Sequence, residues 1–503
     1  MKNGHIQFDL SFGRHRQTTS PRQSDEPFRI LVLGNLSGRS TAQSKVALAE
    51  RKPIYVDIDN LDRIFARLAP YLECSLDAAP LTIEFSALDD FHPESLYQRL
   101  APFVALRKLR EELNDPATYR RAALALGAPP ADTGRSAVDV EEDAATIERL
   151  LGQRPMTAPD TPARPGFDMD LWLKGIIAPY VMPDIAHEQR HLLAAVDAAI
   201  AEQMRRVLHH PGFQSLEATW RGIEGLVRNL ETGETLQLFL LDMSREELVR
   251  DLEGNAADLS QSALYRHLCG PDTEPPDGQG WSLLVGDYAF GSSTEDMALL
   301  TALGAMAARA EAPLIAAARP EILGCADIKQ LAEPKSWPPA TAEAQKSWNS
   351  LRQSAVAPWI GLALPRVLAR LPYGASTDPI AAFAFEELPA SRDHEAYLWG
   401  NPALAMARLA AQAFLNEGWA MNLDGQLDVT DLPSHTWREN GETSQQPCAE
   451  LLLSESAGTA LLLRGIMPLL SYRNRNAARL LRWQSIADPA QPLQGAWVMA
   501  GRG

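Results

Sequence analysis

His187-Glu-Gln-Arg-His191 is the segment of this chain whose residue types and spacing come nearest to chemistry. Two imidazoles one helical turn apart can hold a zinc ion, and Glu188 between them can act as a general base. Arg190, however, would set a cation beside that metal. The apolar stripe starting at Leu193 also makes the segment the exposed first turn of a long packing helix. Gly34–Ser40 (GNLSGRS) has the outline of a phosphate loop. Its spacing is one residue short, and Arg39 stands where a phosphate-gripping lysine belongs. A turn at the end of a strand is the simpler reading. Asp57, Asp59 and Asp62 are close together but lack the glycine and distal glutamate of a calcium loop, and Asp59 or Asn60 suits a helix cap. There is no GxSxG elbow. Cys74, Cys269, Cys325 and Cys448 form no CxxC pair and read as reduced, mostly buried thiols of a cytosolic protein. These residues assign no catalytic group, no metal and no cofactor.

Composition narrows the field further. Among 503 residues, 64 Asp and Glu outnumber 47 Lys and Arg, for a net charge of −17. That balance argues against nucleic acid and against anionic membrane surfaces, which select basic faces. An apolar share of 46% is enough for real cores, and the length corresponds to about three domains. The first 25 residues are polar, with no signal-peptide core. No apolar run approaches the ~18–20 residues a membrane span needs.

The elements that would position any site alternate between strand and helix. Ile6, Phe8, Leu10 and Phe12 recur at the period of a half-buried strand, followed by a polar stretch. Strands are expected at 28–33, 53–58 and 81–85, and helices at 61–68 and from about 93 to 113. Residues 1–115 thus read as a small α/β domain. Residues 116–166 read as a linker holding one isolated amphipathic helix, 137–151, with Val140, Ala144, Ile147 and Leu151 on one face of an acidic body. It is a candidate docking peptide. From 167 to 503, helical stripes at 187–210 and 216–230 alternate with strands at 236–241, 281–285, 313–317 and 359–364, and Ser244-Arg-Glu-Glu247 is a capping box. The pattern predicts an α/β fold with a mostly parallel sheet covered on both faces.

Several long collinear segments carry a resemblance. Pro27–Ser40, Arg51–Pro70 and Phe85–Leu96 resemble the small contractile-sheath subunit of bacterial type VI secretion systems, TssB or VipA. Leu208–Glu231, Leu240–Leu248, Ser282–Phe290, Trp359–Gly374, Tyr397–Ala403 and Gly465–Ser485 resemble the large subunit, TssC or VipB. The resemblance implies a non-enzymatic, cytoplasmic structural protein of a contractile tube. Its partners would be TssB and TssC subunits or further copies of itself, with the Hcp inner tube, baseplate proteins and a ClpV-type ATPase as further candidates, and neither nucleic acid nor membrane insertion. It further implies that the strand with Ile6, Phe8, Leu10 and Phe12 is donated between neighbours. The helix with Val140, Ala144, Ile147 and Leu151 would be the unfoldase-docking element.

Two departures from the family pattern shape the expectation. Small- and large-subunit sequences occur in one chain, and the large subunit's C-terminal region, which supplies strands of the intermolecular sheet, has no counterpart after Gly465–Ser485. The protein is therefore expected to be a fused subunit, or a cap, adaptor or assembly regulator. The alternatives are a baseplate-associated component of the same fold and a zinc-dependent hydrolase using His187 and His191.

Overall fold

Alternation along Phe28–Gly34 (β1) sends Phe28, Ile30 and Val32 to one side and Leu31 and Leu33 to the other, and all five side chains are buried. A strand that is apolar on both faces belongs inside a sheet covered on both sides. The computed structural model describes residues 25–39, 46–76, 79–126, 188–270, 280–388, 393–439 and 441–497, and in it β1 is an interior strand, third from one edge of a nine-stranded sheet.

The other strands of that sheet are Ile54–Val56 (β2), Leu236–Asp242 (β3), Leu283–Phe290 (β4), Leu314–Ala318 (β5), Ile360–Leu364 (β6), Asp428–Val429 (β7), Ile466–Ser471 (β8) and Ala478–Leu480 (β9). Their order is β7-β9-β8-β6-β5-β4-β1-β3-β2. The run from β8 to β3 is parallel throughout. Only the flanking pairs, β2 with β3, β8 with β9 and β9 with β7, are antiparallel. The mostly parallel α/β architecture is thus as the alternation predicted.

One face is covered by helices Leu61–Leu68 (α1), Pro93–Arg99 (α2), Ala101–Asn114 (α3), Tyr119–Ala125 (α4), Glu188–Leu208 (α5), Pro211–Asn229 (α6) and Pro402–Glu417 (α11). The other is covered by Arg245–Gly254 (α7), Ala263–Cys269 (α8), Thr294–Ala310 (α9), Ala342–Arg352 (α10) and Glu455–Leu463 (α12). The two cores meet only through the sheet, so each apolar strand residue serves one of them.

Three local details differ from the sequence reading. The helix expected over 93–113 is two helices, because Pro102 cannot donate to the carbonyl four residues back and its ring clashes there; Leu100 is extended between α2 and α3. Tyr71–Leu76 is a strand that pairs antiparallel with Ala79–Glu84, so the 81–85 strand is half of a hairpin. Finally, of the two residues expected to cap α1, Asn60 holds the cap position, but its side chain makes no capping bond. The Asp57 carboxylate accepts from the Asp59 and Asn60 N–H groups, at 3.1 and 2.9 Å, and makes the turn that starts the helix.

Candidate functional site

The loop that leaves β1 carries the phosphate-loop lookalike, and its geometry shows what those residues do. The backbone N–H groups of Leu36 and Ser37, which a phosphate loop would aim at an anion, donate to the Asp242 carboxylate at the end of β3, at 2.8 and 3.0 Å. Arg39 donates to the Leu68 and Ala69 carbonyls, both at 2.9 Å, and so closes the C-terminus of α1. Gly38 has φ +65°, and a Cβ there would lie 2.3 Å from the Tyr71 carbonyl oxygen. The protein's own groups fill the loop, which makes it a joint between chain segments.

That joint is one part of a long seam between residues 25–126 and the rest. Trp220, fully buried on α6, donates through Nε1 to the Leu36 carbonyl at 2.9 Å. Arg51 forks onto Glu247 at 2.5 and 2.9 Å, and donates to the Asp242 carbonyl at 2.6 Å. Glu247 in turn closes the capping box with Ser244, as its spacing predicted. Arg110 on α3 pairs with Asp197 on α5 at 2.6 Å. At the other end of β1, Trp419 donates to the Glu26 carbonyl at 2.8 Å, and Phe28 stacks on Phe414.

A second arrangement was not singled out from the sequence. Arg370 lies between two buried carboxylates and is bidentate to each: Glu217 on α6 at 2.8 and 3.1 Å, and Glu387 at 2.7 and 3.1 Å. The Tyr373 N–H also donates to Glu387 at 2.7 Å, and the Arg370 guanidinium sits 4.0 Å from the centre of the Tyr373 ring. Burial alone would lower the Arg370 pKa, but Glu217 and Glu387 raise it well above its usual value. Burial would push the Glu387 carboxyl up; the Arg370 charge and the hydrogen bonds it receives hold it at about 2 instead. Glu217 lies beside the apolar stripe of Leu216 and Trp220, not on it, so no local pattern pointed to its partners.

The third arrangement is open. A cleft of about 860 Å³ lies at the carboxyl ends of β1, β3, β4 and β5. This is where parallel α/β sheets present their ligand crevices. Arg39, Arg245, Arg319 and Arg366 line it, with Asp287, Glu246 and Glu395 as the acids and Tyr397 and Trp399 on one wall. Asp287, half-buried, accepts from the Thr219 hydroxyl; burial pushes its carboxyl up, against hydrogen bonds from Thr219 and Asn401.

His187 lies outside the described residues, and His191 is exposed in the first turn of α5. Among the described residues, one group brings ligand-type atoms within 4.8 Å of one another: His394, Glu395 and Glu450. Arg366 already supplies the cation there, donating to Glu450 at 2.8 Å and to Glu395 at 3.0 Å. The four cysteines are free thiols whose pKa values burial pushes up, to about 12 at Cys269 and about 11 at Cys448. No described helix is long and apolar enough to cross a membrane. Ile6, Phe8, Leu10 and Phe12, and likewise Val140, Ala144, Ile147 and Leu151, lie outside the described residues.

Comparison with known proteins follows the two sides of the seam. Residues 190–487 match the family model of the VipB tail sheath N-terminal domain. Residues 5–123 match the type VI secretion system VipA model. The chain is similar to the type VI secretion system sheath protein TssC1 of Pseudomonas aeruginosa, with 36% identity over 306 residues, 60% of this chain and 61% of the relative. It is also similar to TssB1 of the same organism, with 27% identity over 100 residues, 18% of this chain and 58% of the relative. The chain thus spans about three fifths of the length of the curated relatives it matches. The small-subunit match supplies β1 and β2, and the large-subunit match supplies the strands on either side of β1. The chain belongs to the type VI secretion tail-sheath family, with VipA-like and VipB-like sequences folded into one sheet.

Proposed function

We propose that the protein is a structural subunit of a type VI contractile sheath, in which small- and large-subunit sequences act as a single prefused building block. The observation that carries this reading is the place of β1. It pairs in parallel with β3 on one side and β4 on the other, over seven and four residues. A VipA-like strand so placed cannot leave without opening the sheet and both cores. The two sequence families are therefore obliged to travel together, as an assembly unit requires.

In this reading the work is mechanical, not catalytic, and takes place in the cytoplasm. The strand of Ile6, Phe8, Leu10 and Phe12 is donated to an adjacent subunit, either another copy or a separate TssB–TssC pair, by β-augmentation. The Hcp inner tube and baseplate proteins are the further contacts. The segment with Val140, Ala144, Ile147 and Leu151 is the grip for a ClpV-type ATPase.

Electron microscopy of the purified chain, alone and mixed with separate TssB and TssC, tests the proposal. Tubes containing the chain are expected in the mixture, and deletion of residues 1–12 should abolish its incorporation. Tubes that exclude the full-length chain would refute the sheath role. Incorporation unaffected by the deletion would refute the donor strand alone.

A further inference from the structure

We propose that the cleft at the carboxyl edge of the sheet is a binding site for an acidic peptide, and that its occupant is the segment around residues 139–148 of the same chain. The inference does not depend on the sheath role.

The chemistry of the cleft selects against smaller anions. A volume of about 860 Å³ far exceeds that of a single oxyanion. Asp242 already takes the Leu36 and Ser37 N–H groups that would cradle a phosphate. What remains open is one guanidinium, that of Arg319, in a wall that three further arginines make positive. Arg319 is exposed on the cleft wall and makes no ion pair among the described residues. Arg245 also lines the cleft, but it spends one nitrogen on Asp296 and Glu295, and its Nη1 is buried without an acceptor, so it adds positive charge to the wall and no free donor. The N-terminal turns of α6, α7 and α11 all reach the cleft, so their partial positive charges add to the same field. Asp287, the acid at the floor, is the one whose negative charge burial disfavours.

The chain contains a segment of the complementary sign within reach. Asp139, Glu141, Glu142, Asp143 and Glu148 face only Arg149 as a cation in residues 137–151. The described chain stops at Leu126, at the end of α4, which packs on α3. α3 is tied to the amino-terminal half of α5 by the Gln189 bond to the Leu113 carbonyl and by the Arg110–Asp197 pair. The opposite end of α5 runs into His209 and Pro211, which line the cleft. The 21 residues of α5 cover about 31 Å at ~1.5 Å per residue. The stretch from Leu126 to Glu141 can extend about 50 Å at ~3.3 Å per residue. Residues 152–187 leave ample chain for the return. The tether therefore allows the acidic segment to enter its own chain's cleft, and the shared backbone raises its effective concentration there.

The test uses the full chain with a photoreactive benzophenone side chain in place of Asn35, an exposed residue on the cleft rim. Irradiation followed by mass spectrometry should recover cross-links to peptides within 137–151. Two variants should each lower that yield by about tenfold: Arg319→Glu, and the combined Glu141→Gln, Glu142→Gln and Asp143→Asn. Raising the salt from about 0.05 to 0.5 M should lower it as well, because the pairs are screened. Mixing isotopically heavy and light chains separates the sources. Cross-links within one isotope support the proposal, and mixed-isotope cross-links overturn the same-chain assignment. Cross-links that avoid 137–151, or a yield indifferent to both variants, overturn the site itself.

Discussion

Arg370 and Arg319 carry the same charge in opposite circumstances. Arg370 sits inside the protein with four nitrogen–oxygen contacts to two carboxylates and a backbone N–H helping one of them. Arg319 sits on the wall of an open cleft and has no ionic partner among the described residues. A charge taken out of water must have its partners built in, whereas a charge left facing a cavity keeps its capacity for an incoming one. Saturation, not charge itself, separates the structural pin from the binding surface. Arg366 lies between these extremes, paired with buried Glu450 and exposed Glu395 while still lining the cleft.

The contrast can be broken most forcefully at the closed site. Arg370→Met takes the shared guanidinium from Glu217 and Glu387, leaving them buried with only Arg221 and His209 as charged neighbours, and should cost about 3–5 kcal/mol in urea unfolding. Adding Glu217→Leu and Glu387→Leu to that variant should recover most of the loss, since apolar replacement of a whole buried ionic group is often neutral. A single-variant loss below about 1 kcal/mol, the level of an exposed pair, would remove the distinction between the two sites.

Acid should act next. The folded Glu387 carboxyl is held at about 2, below its usual 4.5. A depressed carboxylate contributes stability that is present above the unfolded pKa and is lost as pH falls through the folded one. Unfolding free energies measured from pH 5 to pH 2 should therefore decline more steeply in the native chain than in Glu387→Gln. Parallel declines would show that the pairing with Arg370 is not linked to folding.

The intermediate case sharpens the scale. Glu450→Gln removes the buried charge facing Arg366 and His394 and turns one of its two acceptor oxygens into a donor, and should cost about 1–3 kcal/mol, the range for a buried polar group left unsatisfied. At the open end of the series, Arg319→Glu should change stability by no more than about 0.5 kcal/mol, as for most exposed substitutions. A larger effect would mean that Arg319 belongs to the scaffold and not to the cleft.

Much of the fold is legible in the sequence. Leu61–Leu68, the stripes of α5 and α6, the strand beginning at Leu236 and the Ser244–Glu247 box all lie where periodicity and cap chemistry put them. Each is decided by residues within one or two turns, the range over which such signals act. The break at Pro102 was also in the sequence, but the apolar spacing across 93–113 outweighed it in the reading. Tyr71–Leu76 was missed because a half-exposed hairpin strand is recognisable mainly through its partner.

The functional arrangements were legible to different degrees. The VipA-like and VipB-like segments could be read from collinear motifs. The charged network could not, because Arg370 meets Glu217 across 153 residues and Glu387 across 17, separations that obey no local period. By itself the sequence determined which segments become strands and helices, which faces are apolar and which family the chain resembles, because those properties follow from neighbours along the chain. Only the tertiary structure decided that β1 stands between β3 and β4, that the glycine-rich loop is filled by Asp242, and that one arginine is closed and another open. Those outcomes depend on which distant groups satisfy one another once water is excluded.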